Sequence, residues 1–154
     1  MAEGHIFQIN ASEGGVPKLP VVRAAVTTGG LTADQQADLK HHGGSDRALC
    51  LYSLERIIEL QAEGHPIFPG ASGENLTLWG LDWDRVGPGS ILRLGNEVVV
   101  EVVSYTVPCG TIGAFFMERQ VGRIRQEKHP GWSRVYARVL QGGEISVGDG
   151  VEMG

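Results

Sequence analysis

Cys109 stands between Pro108 and Gly110, directly after a long β-branched run over residues 97–105. Proline fixes the backbone ahead of the sulfur, and glycine leaves room for a ligand after it. A thiol held in this way suits a nucleophile or a metal ligand, and both roles use the thiolate. The same local pattern also suits a structural cysteine that is simply buried. Cys50 differs, because it lies inside Ala48-Leu49-Cys50-Leu51-Tyr52, a continuous apolar run, and reads as a core residue. The two cysteines have no CxxC spacing and are expected to be free thiols in a reducing compartment.

The second cluster is His41-His42-Gly43-Gly44-Ser45-Asp46-Arg47. Paired glycines allow successive backbone N–H groups to converge on an anion, and Arg47 adds a fixed charge with bidentate donors. His42 can donate a hydrogen bond or shuttle a proton. A polar turn carrying exposed histidines would look the same. Neither cysteine has zinc-ligand spacing to the histidines. The third cluster is Ser72-Gly73-Glu74-Asn75-Leu76, where Glu74 and Asn75 could orient a polar ligand or close a turn through their own side chains. Residues 119–134 carry the most basic stretch, including Arg119, Arg123, Arg125, Lys128, His129 and Arg134. It reads first as a solvated helix face and second as a phosphate contact. Trp79, Trp83 and Trp132 read as packing groups.

These residues need elements to hold them. Residues 5–10 and 21–26 are predicted strands, and 31–47 is predicted as a long loop. Residues 48–52 are a buried strand. A helix is predicted from Ser53 to about Ala62, with Ser53 as cap, Glu55 in its first turn and Gly64 and Pro66 as stops. A short strand covers 74–79. Residues 90–94 and 97–105 form a hairpin around Gly95-Asn96. The second arm is expected to be central, since its β-branched run is an aggregation hazard if exposed, and Val100 is expected to face inward. Residues 112–128 are predicted as mixed and partly helical. Residues 136–140 and 145–153 are predicted as a closing hairpin.

The 154-residue sequence has 42% hydrophobic and 20% charged residues and 23 glycines. That size suits one domain over 1–154, and the glycine content favours short strands and tight turns. The formal net charge of −5, with no basic tail, argues against nucleic acid. No stretch of the length a transmembrane helix needs is apolar, and Met1-Ala2-Glu3-Gly4-His5 lacks the features of a secretory signal. No membrane association and a cytoplasmic location are therefore expected. Together the elements describe a mostly-β barrel with one or two inserted α-helices.

In order along the chain, 38–48 with its His41-His42-Gly43-Gly44, Gly73-Glu74-Asn75-Leu76-Thr77, Pro108-Cys109, and the segment from Gly131-Trp132 to Gly148-Asp149 resemble the MOSC family. That family is named for the C-terminal domain of molybdenum-cofactor sulfurases, and the likeness is to its small stand-alone bacterial members. The resemblance implies a β-barrel with inserted helices. It also implies that Cys109 either binds molybdenum as a thiolate or carries sulfur as a persulfide. The cofactor would be the molybdenum cofactor (molybdopterin). Its phosphate would meet Arg47 and the Gly43-Gly44 backbone, with Arg123 or Arg134 as further candidates. His42, Glu74 and Asn75 would orient the pterin or a small-molecule ligand. Some family members resemble enzymes that reduce N-hydroxylated compounds. Others are joined to pyridoxal-phosphate cysteine desulfurase domains. This chain holds no such domain, so a desulfurase or a redox partner is expected to be a separate protein. A non-catalytic ligand-binding β-domain with an inert thiol is the third reading. In the first two, the sulfur is expected at the mouth of the barrel, facing a pocket for an anion.

Overall fold

A computed structural model describes residues 3–12, 15–32 and 45–154. The strands are β1 (Gly4–Ala11), β2 (Leu19–Val21), β3 (Arg23–Thr27), β4 (Gly30–Leu31), β5 (Leu49–Ser53), β6 (Leu76–Trp79), β7 (Ile91–Leu94), β8 (Val98–Tyr105), β9 (Val135–Gln141), β10 (Gly143–Ser146) and β11 (Gly150–Met153). Among the described residues one α-helix, α1 (Leu54–Ala62), follows β5, and short 3-10 turns lie at Ser45–Arg47, Trp83–Arg85, Gly110–Phe115, Met117–Arg119 and Val121–Ile124.

The large sheet runs β11-β7-β8-β9-β5-β6-β1, and β11 also pairs with β1, which closes the ring. β2 adds to β1 outside that ring, and β10, β3 and β4 make a second sheet. The mostly-β barrel read from the sequence is therefore the observed architecture. Every pairing in the ring is antiparallel except β5 with β6. A parallel pair needs a crossover, and α1 with the loop after it supplies one. Ser53 caps α1 as expected: its side chain accepts from the N–H of Arg56 at 3.2 Å. Ile57 and Leu60 bury the helix against the barrel.

The β8 run alternates as a wall strand must. Val98, Val100 and Val102 are fully buried, while Val99, Glu101 and Val103 are half-buried. The β7–β8 hairpin closes at Leu94 opposite Val98, as expected.

Four expectations change. The predicted strand over 21–26 divides, with β2 in one sheet and β3 in the other. The predicted loop over 31–47 begins in β4 and ends in the Ser45–Arg47 turn. Residues 110–124 form 3-10 turns, with Ile112, Phe116 and Ile124 buried beneath them. The closing hairpin does not form: β9 pairs with β8 and β5, β10 with β3, and β11 with β7 and β1. Gly142 explains the corner after β9. It lies so close to the Val26 carbonyl that a Cβ would come to 2.5 Å from the oxygen, so the chain turns onto β3 instead of folding back on β9. Among the described residues, no helix is long and apolar enough to cross a membrane.

Candidate functional site

β8 ends at Tyr105, and the chain continues through Thr106 and the buried Pro108 to Cys109, which is exposed. Cys109 has extended backbone and stands at the head of the Gly110–Phe115 turn, where its carbonyl accepts from the N–H of Ile112. Its sulfur lies 2.8 Å from the Thr111 hydroxyl. That hydrogen bond is the main cause holding the Cys109 thiol below the ordinary thiol value. Partial burial opposes it, while the Thr111 backbone and the charge of Arg134 add to it. The side chain of Arg119 covers the same turn and donates to the Gly110 carbonyl at 2.8 Å.

Arg134 immediately precedes β9. Val135 and Ala137 are fully buried toward the barrel core, so Tyr136 and its neighbour two positions back, Arg134, belong to the opposite face of the strand. Arg134 is only 7% exposed. Its Nη1 donates to the Ser72 carbonyl at 2.7 Å, while its Nε is enclosed without a partner. The hydroxyl of Thr106 is also buried and unpartnered, and the Thr106 N–H donates to the Arg134 carbonyl at 3.1 Å. An uncompensated buried donor or hydroxyl is costly and marks a place where a further polar group belongs.

Tyr136 ties more of the face together. It is opposite Cys50 on one side and Ser104 on the other. The Arg47 guanidinium lies 5.3 Å from its ring centre. Burial, chiefly, holds the Tyr136 phenol above its ordinary value; Cys50 and Cys109 push the same way, and Arg134 and Arg47 oppose them. Cys109, Arg134, Tyr136 and Arg47 thus form one electrostatic group. It sits at the end of the barrel where β8 stops and β9 starts, on the outer side of the wall. The packed interior is not part of it.

The Ser72-Gly73-Glu74-Asn75 segment supports this group from behind. Glu74 is fully buried. Its carboxyl accepts from the Gly70 N–H at 3.0 Å, the Ser72 hydroxyl at 2.7 Å and the Thr77 hydroxyl at 2.9 Å. Burial nevertheless outweighs these donors and pushes its pKa up. Gly70, with φ of 91°, brings its backbone against the Lys18 carbonyl, where a side chain would collide. The Asn75 side chain accepts from the Cys50 N–H at 2.8 Å, and the Asn75 N–H donates to the Cys50 carbonyl at 2.7 Å. Glu74 and Asn75 therefore position backbone: Glu74 holds the loop whose Ser72 carbonyl receives Arg134, and Asn75 pins the parallel β5–β6 join.

Cys50 is buried, as expected. His42, Gly43 and Gly44 lie outside the described residues. Arg123 makes a two-point ion pair with Glu63 at 2.9 and 2.8 Å and lies over the Trp132 ring, which Arg56 also approaches. Trp83 packs as expected, buried with its indole N–H on the Ser133 carbonyl.

Sequence reasoning underweighted Arg134 and missed Thr106, Thr111 and Tyr136. The signal for Arg134 was positional. It shares an alternation with Tyr136 and Arg138 on the solvent side of a strand, whereas the basic stretch around it suggested a helix face. Among the described residues, no three His, Cys, Asp or Glu side chains gather to hold a metal ion.

A family model described as MOSC domain matches residues 38–152. The chain is 33% identical over 143 residues to the Bacillus subtilis protein YflK, covering 92% of this chain and 63% of YflK. It is 31% identical over 129 residues to a Gibberella moniliformis protein named Reductase, covering 80% of this chain and 22% of that protein. The crystal structure of YiiM from Geobacillus stearothermophilus superposes with a TM-score of 0.75 at 29% identity, covering 98% of this chain and 75% of the other. The chain thus spans less than two thirds of either sequence relative.

Proposed function

The chain belongs to the MOSC domain family, and from that premise we propose that it binds the molybdenum cofactor, with the Cys109 thiolate as a ligand to molybdenum. The observation that carries this reading is an exposed sulfur, hydrogen-bonded to Thr111, beside a buried arginine whose Nε has no partner. A soft thiolate with no cluster of companion ligands among the described residues suits a metal already held by a cofactor's own sulfurs. The orphaned Arg134 and Thr106 donors suit an anionic, oxygen-rich group. The residues present thus fit the cofactor.

In this reading Cys109 holds the metal, and Thr111 orients the sulfur and lowers its pKa. Arg47 and the Gly43-Gly44 backbone receive the pterin phosphate, and His42 hydrogen-bonds the pterin or substrate. Glu74 and Asn75 act through the loop and strand they fix. Arg123 gives Nε and Nη2 to Glu63, and its buried Nη1 is left without a partner. When bound, the cofactor supplies two-electron redox chemistry, and the reaction proposed is reduction of N-hydroxylated compounds with electrons from separate redox proteins. A relative named Reductase supports that direction. The test is metal content after purification from cofactor-producing cells, with Cys109→Ala as control. Molybdenum in the wild type and its loss in the variant are expected; equal and negligible metal in both would overturn the proposal.

The exposure of Cys109 also favours a second reading, a persulfide carrier loaded by a separate pyridoxal-phosphate cysteine desulfurase. Mass spectrometry after incubation with such an enzyme and cysteine should find one added sulfur on Cys109. Sulfur on Cys50 instead would defeat it.

A further inference from the structure

The guanidinium of Arg134 is bound on one side only. Nη1 holds the Ser72 carbonyl, and this is the single hydrogen bond its guanidinium makes among the described residues. The opposite edge, Nε with Nη2, is left as an unused pair of parallel donors. Such a fork matches two oxygens of one oxyanion. The unpartnered hydroxyl of Thr106 lies on the segment paired with Arg134 and offers a third contact. Both side chains are more than nine-tenths buried, at 7% and 3% exposure. Arg134 is also held in place from behind, through Ser72 and the fully buried Glu74. The two donors are thus fixed and enclosed, and Thr106 is three residues from the exposed Cys109, whose thiol feels the Arg134 charge.

We propose that Arg134 and Thr106 form an oxyanion subsite next to Cys109, and that it accepts thiosulfate as a sulfur donor. The sulfonate oxygens would sit on the Arg134 edge and the Thr106 hydroxyl, which leaves the outer sulfur facing Cys109. The Cys109 thiolate attacks that outer sulfur. A new S–S bond forms, and the bond to the sulfonate sulfur breaks with its electron pair, releasing sulfite. Cys109 becomes a persulfide anion. The thiolate sulfur is oxidised and the transferred sulfur reduced to the shared persulfide level, so no other oxidant is needed. Charge balances, one thiolate and one thiosulfate dianion giving one persulfide anion and one sulfite dianion. This activity belongs to the cofactor-free chain, because the same thiol and donors serve the cofactor in the first reading. It rests on the persulfide reading, and a chain that loads from cysteine and a desulfurase but not from thiosulfate would defeat this donor alone.

The test incubates the full chain with thiosulfate and follows two readouts: sulfite release, and one added sulfur on the Cys109 peptide by mass spectrometry. A parallel arm uses an uncharged organic trisulfide: Cys109 attacks its central sulfur and releases a thiolate, and that thiolate then removes the remaining organic group as a disulfide, which leaves the same persulfide without an oxyanion. The wild type is expected to load from both. Arg134→Met is expected to lose thiosulfate loading by about tenfold or more, as befits loss of a charge-assisted bidentate contact, and to lose trisulfide loading by a clearly smaller factor, the part that comes from removing its charge near the thiol. Thr106→Val keeps the side-chain shape and is expected to lose several-fold on thiosulfate alone, which tests the subsite even if Arg134→Met folds poorly. Wild-type protein that loads from the trisulfide but not from thiosulfate would overturn the proposal. So would a Thr106→Val protein that releases sulfite at the wild-type rate.

Discussion

The Thr111 hydroxyl, 2.8 Å from the Cys109 sulfur, is the largest cause of that thiol's lowered pKa. Thiol alkylation reads this directly, because the rate follows the thiolate fraction. The rate–pH curve of the native protein should have its midpoint below that of a free cysteine, and Thr111→Val should move it upward. At neutral pH the variant should then label several-fold more slowly. Coincident curves for the two proteins would remove Thr111 from the site. Glu74 presents the opposite sign. Its folded pKa is raised because burial outweighs three donors. Its native form therefore binds the proton more tightly than the unfolded chain does. That contribution to stability is complete below the unfolded carboxyl value, ~4.3, and is lost as pH rises through the raised native value. Wild-type Tm should accordingly fall relative to Glu74→Gln between acid and neutral pH. A difference that stays flat across that range would mean the carboxyl ionises normally. Of these residues, Cys109 was legible from its neighbours Pro108 and Gly110. Thr111 was not, because a threonine two positions along has many other uses, and only the folded turn brings its hydroxyl to the sulfur.

At the scale of elements, β8 was the most readable part of the chain. Its β-branched run fits a wall strand, and the alternation fixes which valines face inward. Val100 is fully buried within the hydrophobic core. Val100→Asp should cost about 4 kcal/mol or more, seen as a large fall in the urea midpoint or as failure to fold. Unchanged stability would show that this face of β8 is wet. The C-terminal strands were read less well, and the reason is specific. Residues 136–140 and 145–153 have strand character, but pairing is decided by partners far away in sequence. Gly142 sits against Val26, and Ser146 is opposite Arg23. Nothing local to 140–146 distinguishes that corner from a hairpin turn. The same blindness applied to Arg134: its role depends on the loop at Ser72, which reaches it only through the parallel β5–β6 join.

In the whole molecule, stability and chemistry occupy opposite sides of one wall. The inward face of β8, β9 and β5 carries aliphatic side chains in the common core. The outward face, near the end of the same strands, carries Arg134, Tyr136 and the approach to Cys109. The ring that supports this wall is completed by β1 and β11, where Gly4 lies opposite Val151 and His5 opposite Gly150. These are among the most sequence-distant partners in the fold, so closure there carries a large loop-entropy cost and belongs late in folding. The barrel is in effect fastened by a clasp made from its first and last strands. Removing residues 150–154 should unfasten it and leave β7 and β1 each with a bare row of N–H and C=O groups. The shortened protein should self-associate, visible as higher-order species in sedimentation where the full chain runs as a single smaller one. A shortened chain that sediments like the full one would mean the staves hold their curvature without the clasp.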